Sequence, residues 1–231
     1  MKNILNEEPT TSLNGRLLYT TKFIDKSDIE NKAVLNIGCG YGWFELFCLD
    51  KSVSKIIGLE ITEKDMETAR KITQENCEFF VGSAIDLPFE SGCFDTVTAW
   101  EVIEHIPKNT ELKMFEEVKR VLKKDGVFYL STPNKSFLSN LFDPAWWLIG
   151  HRHYSAKMMS SFANIVGFEI LRTEIRGGFW NITNVLNLYI AKWIFRRGNF
   201  FKSFFDNKEN REYEKNRGIT NMFIKFKKIE E

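Results

Sequence analysis

Val34-Leu35-Asn36-Ile37-Gly38-Cys39-Gly40-Tyr41-Gly42 runs a short apolar stretch straight into a turn carrying three glycines. The apolar part has the length and character of a buried strand. Glycine is placed where the chain must take positive φ or let a ligand come close to its backbone. A second apolar run, Lys55-Ile56-Ile57-Gly58-Leu59, ends in Glu60. An acidic residue about twenty positions after the glycine turn, at the end of the next strand, is placed to accept both hydroxyls of a ribose. The two segments together predict a nucleoside-bearing cofactor lying over the carboxyl edge of a parallel sheet.

The glycine spacing narrows the cofactor. A dinucleotide turn needs Gly-x-Gly-x-x-Gly so that a pyrophosphate can sit on the helix N-terminus. Here the third glycine is Gly42, and the position that the dinucleotide pattern reserves for glycine holds Trp43. An indole there crowds a pyrophosphate. The Gly-x-Gly-x-Gly form instead resembles the first motif of the class I S-adenosylmethionine (SAM)-dependent methyltransferases. Further landmarks follow in order. Gly82-Ser83-Ala84-Ile85-Asp86-Leu87-Pro88-Phe89 resembles the family's third motif, and Phe94-Asp95-Thr96-Val97-Thr98-Ala99-Trp100 its fourth strand. Glu101-Val102-Ile103-Glu104-His105-Ile106 resembles the segment after that strand, and Leu122 to Asn134 the turn into the fifth strand. The likeness runs over residues 34–172 and points to the type 11, ubiquinone-pathway O-methyltransferase-like members.

The resemblance implies an α/β fold: a Rossmann-like, doubly wound, seven-stranded sheet, mostly parallel with an antiparallel last strand, and helices on both faces. It also implies a cofactor site. Gly38, Cys39, Gly40 and Gly42 form the turn under the methionine and ribose. Glu60 takes the ribose hydroxyls with Ile61 beside it. Asp86 meets the adenine amino group with Ala84 and Ile85 along the ring, and Glu101 closes the site. The plainer alternative for Glu60 is a solvated surface carboxylate, and for Asp86 a turn cap before Pro88.

Composition sets outer bounds. The 231 residues make one domain, residues 1–231, with room for a full core. Thirty-two Lys and Arg against 31 Asp and Glu leave a net charge of +1, which gives no global attraction to nucleic acid or anionic lipid. Cys39, Cys48, Cys77 and Cys93 show no paired spacing and read as reduced thiols, which points to a cytoplasmic protein. The polar N-terminus predicts no signal peptide, and no apolar run is long enough to span a bilayer.

Hydrophobic periodicity predicts an N-terminal helix over 12–26 inside a helical cap at residues 1–32. Strands follow near 33–37, 55–59, 77–81, 94–99, 126–131 and 168–175, and a last one at 220–228. Helices alternate with them near 42–50, after Thr62 through Ala69 and Ile72, and near 109–122 and 155–166, the last between Ser155 as N-cap and Gly167. Residues 177–218 form a helical insertion between the last two strands, where relatives of this fold use a tight turn. An insertion that long is functional or disordered, and its Trp, Phe, Leu and Ile content argues for order.

Catalytic candidates lie at Glu101, Glu104 and His105. At i, i+3 and i+4 they would share one face of a helical turn. Two carboxylates and an imidazole suit Mg²⁺ or Mn²⁺. A histidine from His151-Arg152-His153 would complete the set. The arrangement is similar to those of two methyltransferase groups associated with metal-assisted O-methylation: the ubiquinone-pathway enzymes and the small-RNA 3′-terminal 2′-O-methyltransferases. The resemblance to the small-RNA methyltransferases implies His153 by position, with His151 as fallback. The plainer reading gives His105 a metal-free role as base or pocket wall.

Two aromatic segments, Phe137 to Ile149 and Phe179 to Arg197, would shape an apolar acceptor pocket. In the second, Ile182, Val185, Leu186, Tyr189, Ile190, Trp193 and Ile194 form a helical stripe, with Asn181, Asn184 and Asn187 off it. Basic and aromatic residues follow, so residues 179–205 have the make-up of a peripheral membrane contact. Burial against the sheet edge or a homodimer partner is the simpler reading. The expected function is SAM-dependent methyl transfer to an oxygen of a small or lipid-linked acceptor. The alternatives are a metal-assisted RNA 2′-O-methyltransferase, which the charge balance opposes, and a catalytically inactive SAM-binding or scaffold protein.

Overall fold

A computed structural model describes residues 8–143, 146 and 150–229. Seven strands form one sheet in the order β3-β2-β1-β4-β5-β7-β6. They are β1 (Ala33–Ile37), β2 (Lys55–Glu60), β3 (Cys77–Val81), β4 (Phe94–Trp100), β5 (Leu122–Pro133), β6 (Phe168–Arg176) and β7 (Asn221–Lys228). β1 through β5 pair in parallel, and β7 runs antiparallel to both β5 and β6. The strand order reverses at β1, between β2 and β4. In open sheets of this type the crevice outside the strand ends at such a switch point is where ligands bind.

The helices are α1 (Gly15–Phe23), α2 (Trp43–Asp50), α3 (Glu63–Met66), α4 (Glu111–Val121), α5 (Phe137–Phe142), α6 (Ala156–Val166), α7 (Phe179–Trp193) and α8 (Lys202–Tyr213). Alternation along each strand builds a core on both faces of the sheet. Leu35 and Ile37 of β1 join Phe128, Leu130 and the inner faces of α4 and α6 on one side. Val34 joins Tyr129, Phe223 and residues of α1 and α2 on the other. In α4 the positions Met114, Phe115, Val118 and Val121 are fully buried, a helical stripe facing the sheet. Ser155 caps α6 by accepting the Met158 amide, and Gly167 ends it in the left-handed conformation, both as the sequence predicts.

Three differences from expectation have local causes. The N-terminal helix is shorter, because the backbone is already extended at Asn14 and Ile24. The helix after β2 breaks into α3 and a 3-10 turn at Ala69–Lys71, where Ala69 and Ile72 press against Gly42 of the glycine turn. β5 starts at Leu122 instead of 126, because extra residues of β5, between Leu122 and Val127, loop out opposite the Phe94–Thr96 step of β4 and let Leu122 pair with Phe94.

α7 and α8 stand between β6 and β7. Their root is closed by the Ile219 amide donating to Gly177 O at 2.8 Å. Gly218 lies flat on the Arg176 backbone, where any Cβ would collide. Among the described residues no helix is long and apolar enough to cross a membrane.

Phe115 is fully buried and meets the rings of Phe128, Phe162, Phe168 and Phe226 at 5.5–6.1 Å. Phe115→Ala is expected to lower stability by about 3–5 kcal/mol. Urea denaturation measures this, and a loss under about 1 kcal/mol would contradict the assigned packing.

Candidate functional site

The carboxyl ends of β1, β2 and β4 meet at one edge, and the glycine turn closes over them. Gly38, Gly40 and Gly42 all take positive φ, at 75°, 52° and 85°. The Gly38 and Cys39 amides donate to Leu59 O at 2.8 and 3.1 Å, which ties the turn to β2. Glu60 accepts from the Gly40 amide at 3.1 Å and from the Ile61 amide at 2.9 Å. It thus stands directly beside the turn. Gly40 is the informative glycine. A Cβ there would meet no atom within 4 Å, so its backbone faces open space while its φ excludes ordinary residues. Gly38 differs: a Cβ there would lie 2.6 Å from Val102 Cγ2.

Along the sheet edge the other predicted cofactor residues follow. Ser83 to Asp86 make a tight turn, with the Asp86 amide donating to Ser83 O at 3.1 Å. Ala84 is buried, Ile85 half-buried, and Asp86 and Ile61 exposed. The Cys39 side chain is buried against Met66 and Ala69, so only its backbone is available to a ligand. Burial, then Glu45 and Glu60, raise its thiol pKa, which keeps it unreactive.

Beneath the turn a cavity of about 190 Å³ is lined by Asn36, Gly38, Tyr41, Trp43, Trp100 and Glu101, and by Arg16, Leu17 and Thr20 of α1. The buried Trp100 Nε1 on its wall has no acceptor among the described residues. Asn36 reaches back to Glu45 Oε1 at 2.7 Å and accepts from Thr98 Oγ1 at 2.9 Å. Glu45 is fully buried, and desolvation pushes its pKa up to about 7.

A second cavity of about 300 Å³ opens on the other side of Arg16 and Glu101. Its wall includes Ile182, Val185, Leu188 and Tyr189 of α7, with Ser139, Asp143, His151 and Asn221. Arg16 Nη1 donates to Glu101 Oε2 at 2.7 Å, and this ion pair borders both cavities. Sequence reading missed Arg16. No spacing rule connects residue 16 with residue 101, and only the fold lays α1 across the sheet edge.

The segment from Glu101 to Ile106 is not a helical turn. Glu101 sits at φ 57°, and the chain bends before Val102. The predicted shared face therefore splits. Glu101 turns to the boundary between the two cavities and accepts from Arg16, Ser131 Oγ and Asn221 Nδ2. Glu104 turns inward, fully buried in its side chain, and accepts from Thr132 Oγ1 at 3.1 Å, while its Oε1 has no hydrogen-bond partner. That oxygen lies 3.8 Å from His151 Nε2, too far for a hydrogen bond.

The three histidines cluster together, and His151 reaches the second cavity. His151 Nε2 stands 3.3 Å from His105 Nε2, with the rings 4.7 Å apart. His151 Nδ1 faces Asp143 Oδ2 at 3.2 Å, and His153 Nε2 faces the same oxygen at 2.8 Å. Ligand atoms of Glu104, His105 and His151 fall within 4.8 Å of one another, as do those of Asp143, His151 and His153. His151 belongs to both groups. Glu101 belongs to neither, and His153 sits with Asp143 instead of with Glu104. Desolvation, then His151, push the His105 imidazole well below its ordinary value, to about 4, so the ring is neutral at pH 7. Burial first, and the nearby Glu101 charge second, hold Glu104 well above the usual carboxylate range. Of the aromatic segment Phe137 to Ile149, residues 144, 145 and 147–149 lie outside the described residues.

A glycine turn of this spacing, an acid at the end of β2 and β7 inserted antiparallel in the sheet make up the Rossmann-like methyltransferase fold. Comparison with known proteins agrees. Residues 35–130 match a family model described as methyltransferase domain. Over 107 residues it is 38% identical to a demethylmenaquinone methyltransferase of Lactococcus lactis, covering 43% of this chain and 41% of that protein. Over 118 residues it is 30% identical to a ubiquinone biosynthesis O-methyltransferase of Actinobacillus pleuropneumoniae, covering 46% and 47%. The chain thus spans less than half the length of these relatives. An S-adenosylmethionine-dependent methyltransferase structure from Mesorhizobium loti superposes with a TM-score of 0.64 at 14% identity, covering 92% of this chain and 96% of that one. At that identity the likeness speaks for the fold.

The site generates two tests. Gly40→Val is expected to fold, at a cost of about 1–2 kcal/mol for its left-handed backbone, yet to lose S-adenosylhomocysteine affinity at least about tenfold. Calorimetric titration checks this, and unchanged affinity would remove Gly40 from the cofactor site. Glu45 concerns pH. Its folded pKa lies above the unfolded value, so its contribution is complete below about pH 4.5 and is lost as pH rises through about 7. Glu45→Gln keeps the neutral form. Its stability relative to the wild type is expected to rise by on the order of 2–3 kcal/mol between pH 5 and pH 8 in denaturant titrations.

Proposed function

We propose that this protein transfers a methyl group from SAM to an oxygen of a small, largely apolar acceptor. The observation that carries this reading is the pair of cavities meeting at Arg16 and Glu101, one under the glycine turn and one walled by α7. Donor and acceptor would lie end to end across that ion pair, and holding both in line supplies much of the rate enhancement such a transfer requires.

The residues fit the cofactor. Gly40 offers a backbone surface that a Cβ would fill, and Glu60 stands beside it to take the ribose hydroxyls. Ala84, Ile85 and Asp86 would border the adenine. Arg16, a guanidinium on the wall of the cofactor-side cavity, would pair with the methionyl carboxylate. Bound there, SAM supplies an electrophilic methyl on a sulfonium centre.

On the acceptor side, neutral His105 would take the proton from an acceptor hydroxyl, with His151 Nε2 at 3.3 Å to share it. Asp143 would hold His151 through Nδ1. Ile182, Val185, Leu188 and Tyr189 exclude water and favour an apolar or aromatic acceptor. The two curated relatives carry names from quinone biosynthesis, which is compatible with a phenolic acceptor bearing an apolar tail.

A second reading is favoured by Glu104 Oε1, a buried oxygen without a hydrogen-bond partner beside two imidazoles. Glu104, His105 and His151 would hold a divalent cation, which supplies Lewis acidity at the acceptor oxygen. Two imidazoles and one carboxylate suit Mn²⁺ better than Mg²⁺.

Methyl transfer from labelled SAM to phenols and catechols with and without prenyl tails tests the function. His105→Ala is expected to lower kcat by about a hundredfold or more while leaving S-adenosylhomocysteine affinity near wild type. Chelator-treated protein is expected to keep full activity if His105 is the base. Activity lost to chelator and restored by Mn²⁺ would establish the cation reading. A folded sample that binds no S-adenosylhomocysteine would overturn both.

A further inference from the structure

The helical insertion between β6 and β7 carries a surface that the methyl-transfer reading does not use. Its two helices are joined by a polar seam. Glu212 accepts from the amides of Gly178, Trp180 and Asn181 at the start of α7. Glu209 accepts from Asn181 Nδ2 and Asn184 Nδ2, and Asn187 pairs with the Phe200 backbone. The three asparagines thus face α8 and its approach, and the apolar stripe of α7 is left out of the seam. Within α7 only Ala191 is buried, so the stripe is not packed into the sheet either.

Toward its end α7 leaves Trp193 66% and Ile194 70% exposed, and Phe195 follows at 58%. Phe201 is 81% exposed at the start of α8. Across the acceptor-side cavity, Phe137 of α5 is 80% exposed. Scattered exposed apolar residues need no explanation, but a run of aromatic and branched side chains on one insertion does.

Charge selects the partner. From Gly177 to Phe205 the chain contains Lys192, Arg196, Arg197 and Lys202 and no Asp or Glu. Lys202 is paired with Asp206, whereas Arg196 and Arg197 are exposed and meet no carboxylate among the described residues. Arg197 lies over the Phe200 ring at 4.7 Å. This local excess stands against a whole-chain net charge of +1. A symmetric contact with a second copy would set these cations against themselves. An anionic bilayer surface satisfies both halves of the patch: rings and branched chains enter the headgroup boundary, and guanidinium groups meet lipid phosphates.

We propose that the tip of the insertion, built from Trp193, Ile194, Phe195, Arg196, Arg197 and Phe201, docks this protein on an anionic membrane surface. The same helix lines the acceptor-side cavity through Ile182, Val185, Leu188 and Tyr189. Tyr189 stacks toward Trp193 with the rings 6.5 Å apart, so cavity wall and docking tip are consecutive turns of one helix. Docking of the tip would therefore bring the α7 wall of that cavity close to the lipid. That the acceptor enters from the bilayer rests on the methyl-transfer reading; the docking itself does not.

Co-sedimentation of the full chain with vesicles tests the proposal. Vesicles of phosphatidylcholine and phosphatidylglycerol in about equal parts are expected to bind the protein at least about tenfold more tightly than phosphatidylcholine alone, and added salt to weaken that binding. Trp193→Ser with Ile194→Ser, and separately Arg196→Glu with Arg197→Glu, are each expected to reduce partitioning by about tenfold or more. Both variants change exposed side chains, so melting temperature and S-adenosylhomocysteine affinity should stay at wild-type values. If the apolar variant misfolds, the arginine reversal alone carries the test. The proposal is overturned by a wild-type protein that does not sediment with anionic vesicles, or by equal binding to neutral and anionic ones. It is also overturned if light scattering shows a dimer that Trp193→Ser abolishes and vesicles leave unchanged, since the patch would then belong to a second copy. Because S-adenosylhomocysteine binding is measured on the same samples, a failure of docking is distinct from a failure of the cofactor assignment.

Discussion

The carboxylate of Glu101 holds the site together. It lies just past the end of β4, at a left-handed backbone position that ordinary residues avoid. Its two oxygens gather Arg16 from α1, Ser131 from β5 and Asn221 from β7. Asn221 in turn accepts from the Tyr213 hydroxyl of α8 at 2.7 Å. One side chain thus joins the N-terminal helix, the middle of the sheet, the last strand and the insertion. Removing one partner from such a half-buried charge would leave the others without compensation. The bend that frees Glu101 for this role also turns Glu104 and His105 away from it, toward His151.

The strands and the glycine turn were legible because their causes are local. Val34 to Gly42 combines a short apolar run with positions that glycine fills, and the structure places a buried strand and three positive-φ glycines there. Ser155 and Gly167 delimit a helix through hydrogen bonds made within a few residues. The placement of Glu60 beside the turn was equally readable, since a parallel crossover fixes where β2 ends relative to β1. The candidate catalytic group was read less well. The spacing Glu101, Glu104, His105 matches a helical face only if the segment is helical, and the left-handed residue at 101 breaks that premise. His151 and His153 sit two apart in a connection, and no periodicity decides which of them reaches Glu104. Arg16 carries no local signature at all, because its partners lie far along the chain.

In the insertion the polar side of a helix, not its apolar stripe, makes the inner contact. Asn181, Asn184 and Asn187 look like the wet face of α7, yet they meet Glu209 and the chain entering α8. The buried Glu209 and Glu212 explain the inversion. Carboxylates so placed need several donors, and a helix N-terminus with asparagines at its first turns supplies them. The polar face thus became the inner one.

α8 also reaches the N-terminal helix. The Gly15 amide donates to Asn210 Oδ1 at 2.5 Å, and Glu209 fills the space beside Gly15, where a Cβ would collide with its carboxyl group. α1 is therefore clasped by the insertion while its next residue, Arg16, borders both cavities. The two cavities therefore share a wall whose position is set by a contact between α1 and α8, so a substitution at Gly15 or Asn210 would be felt at Arg16.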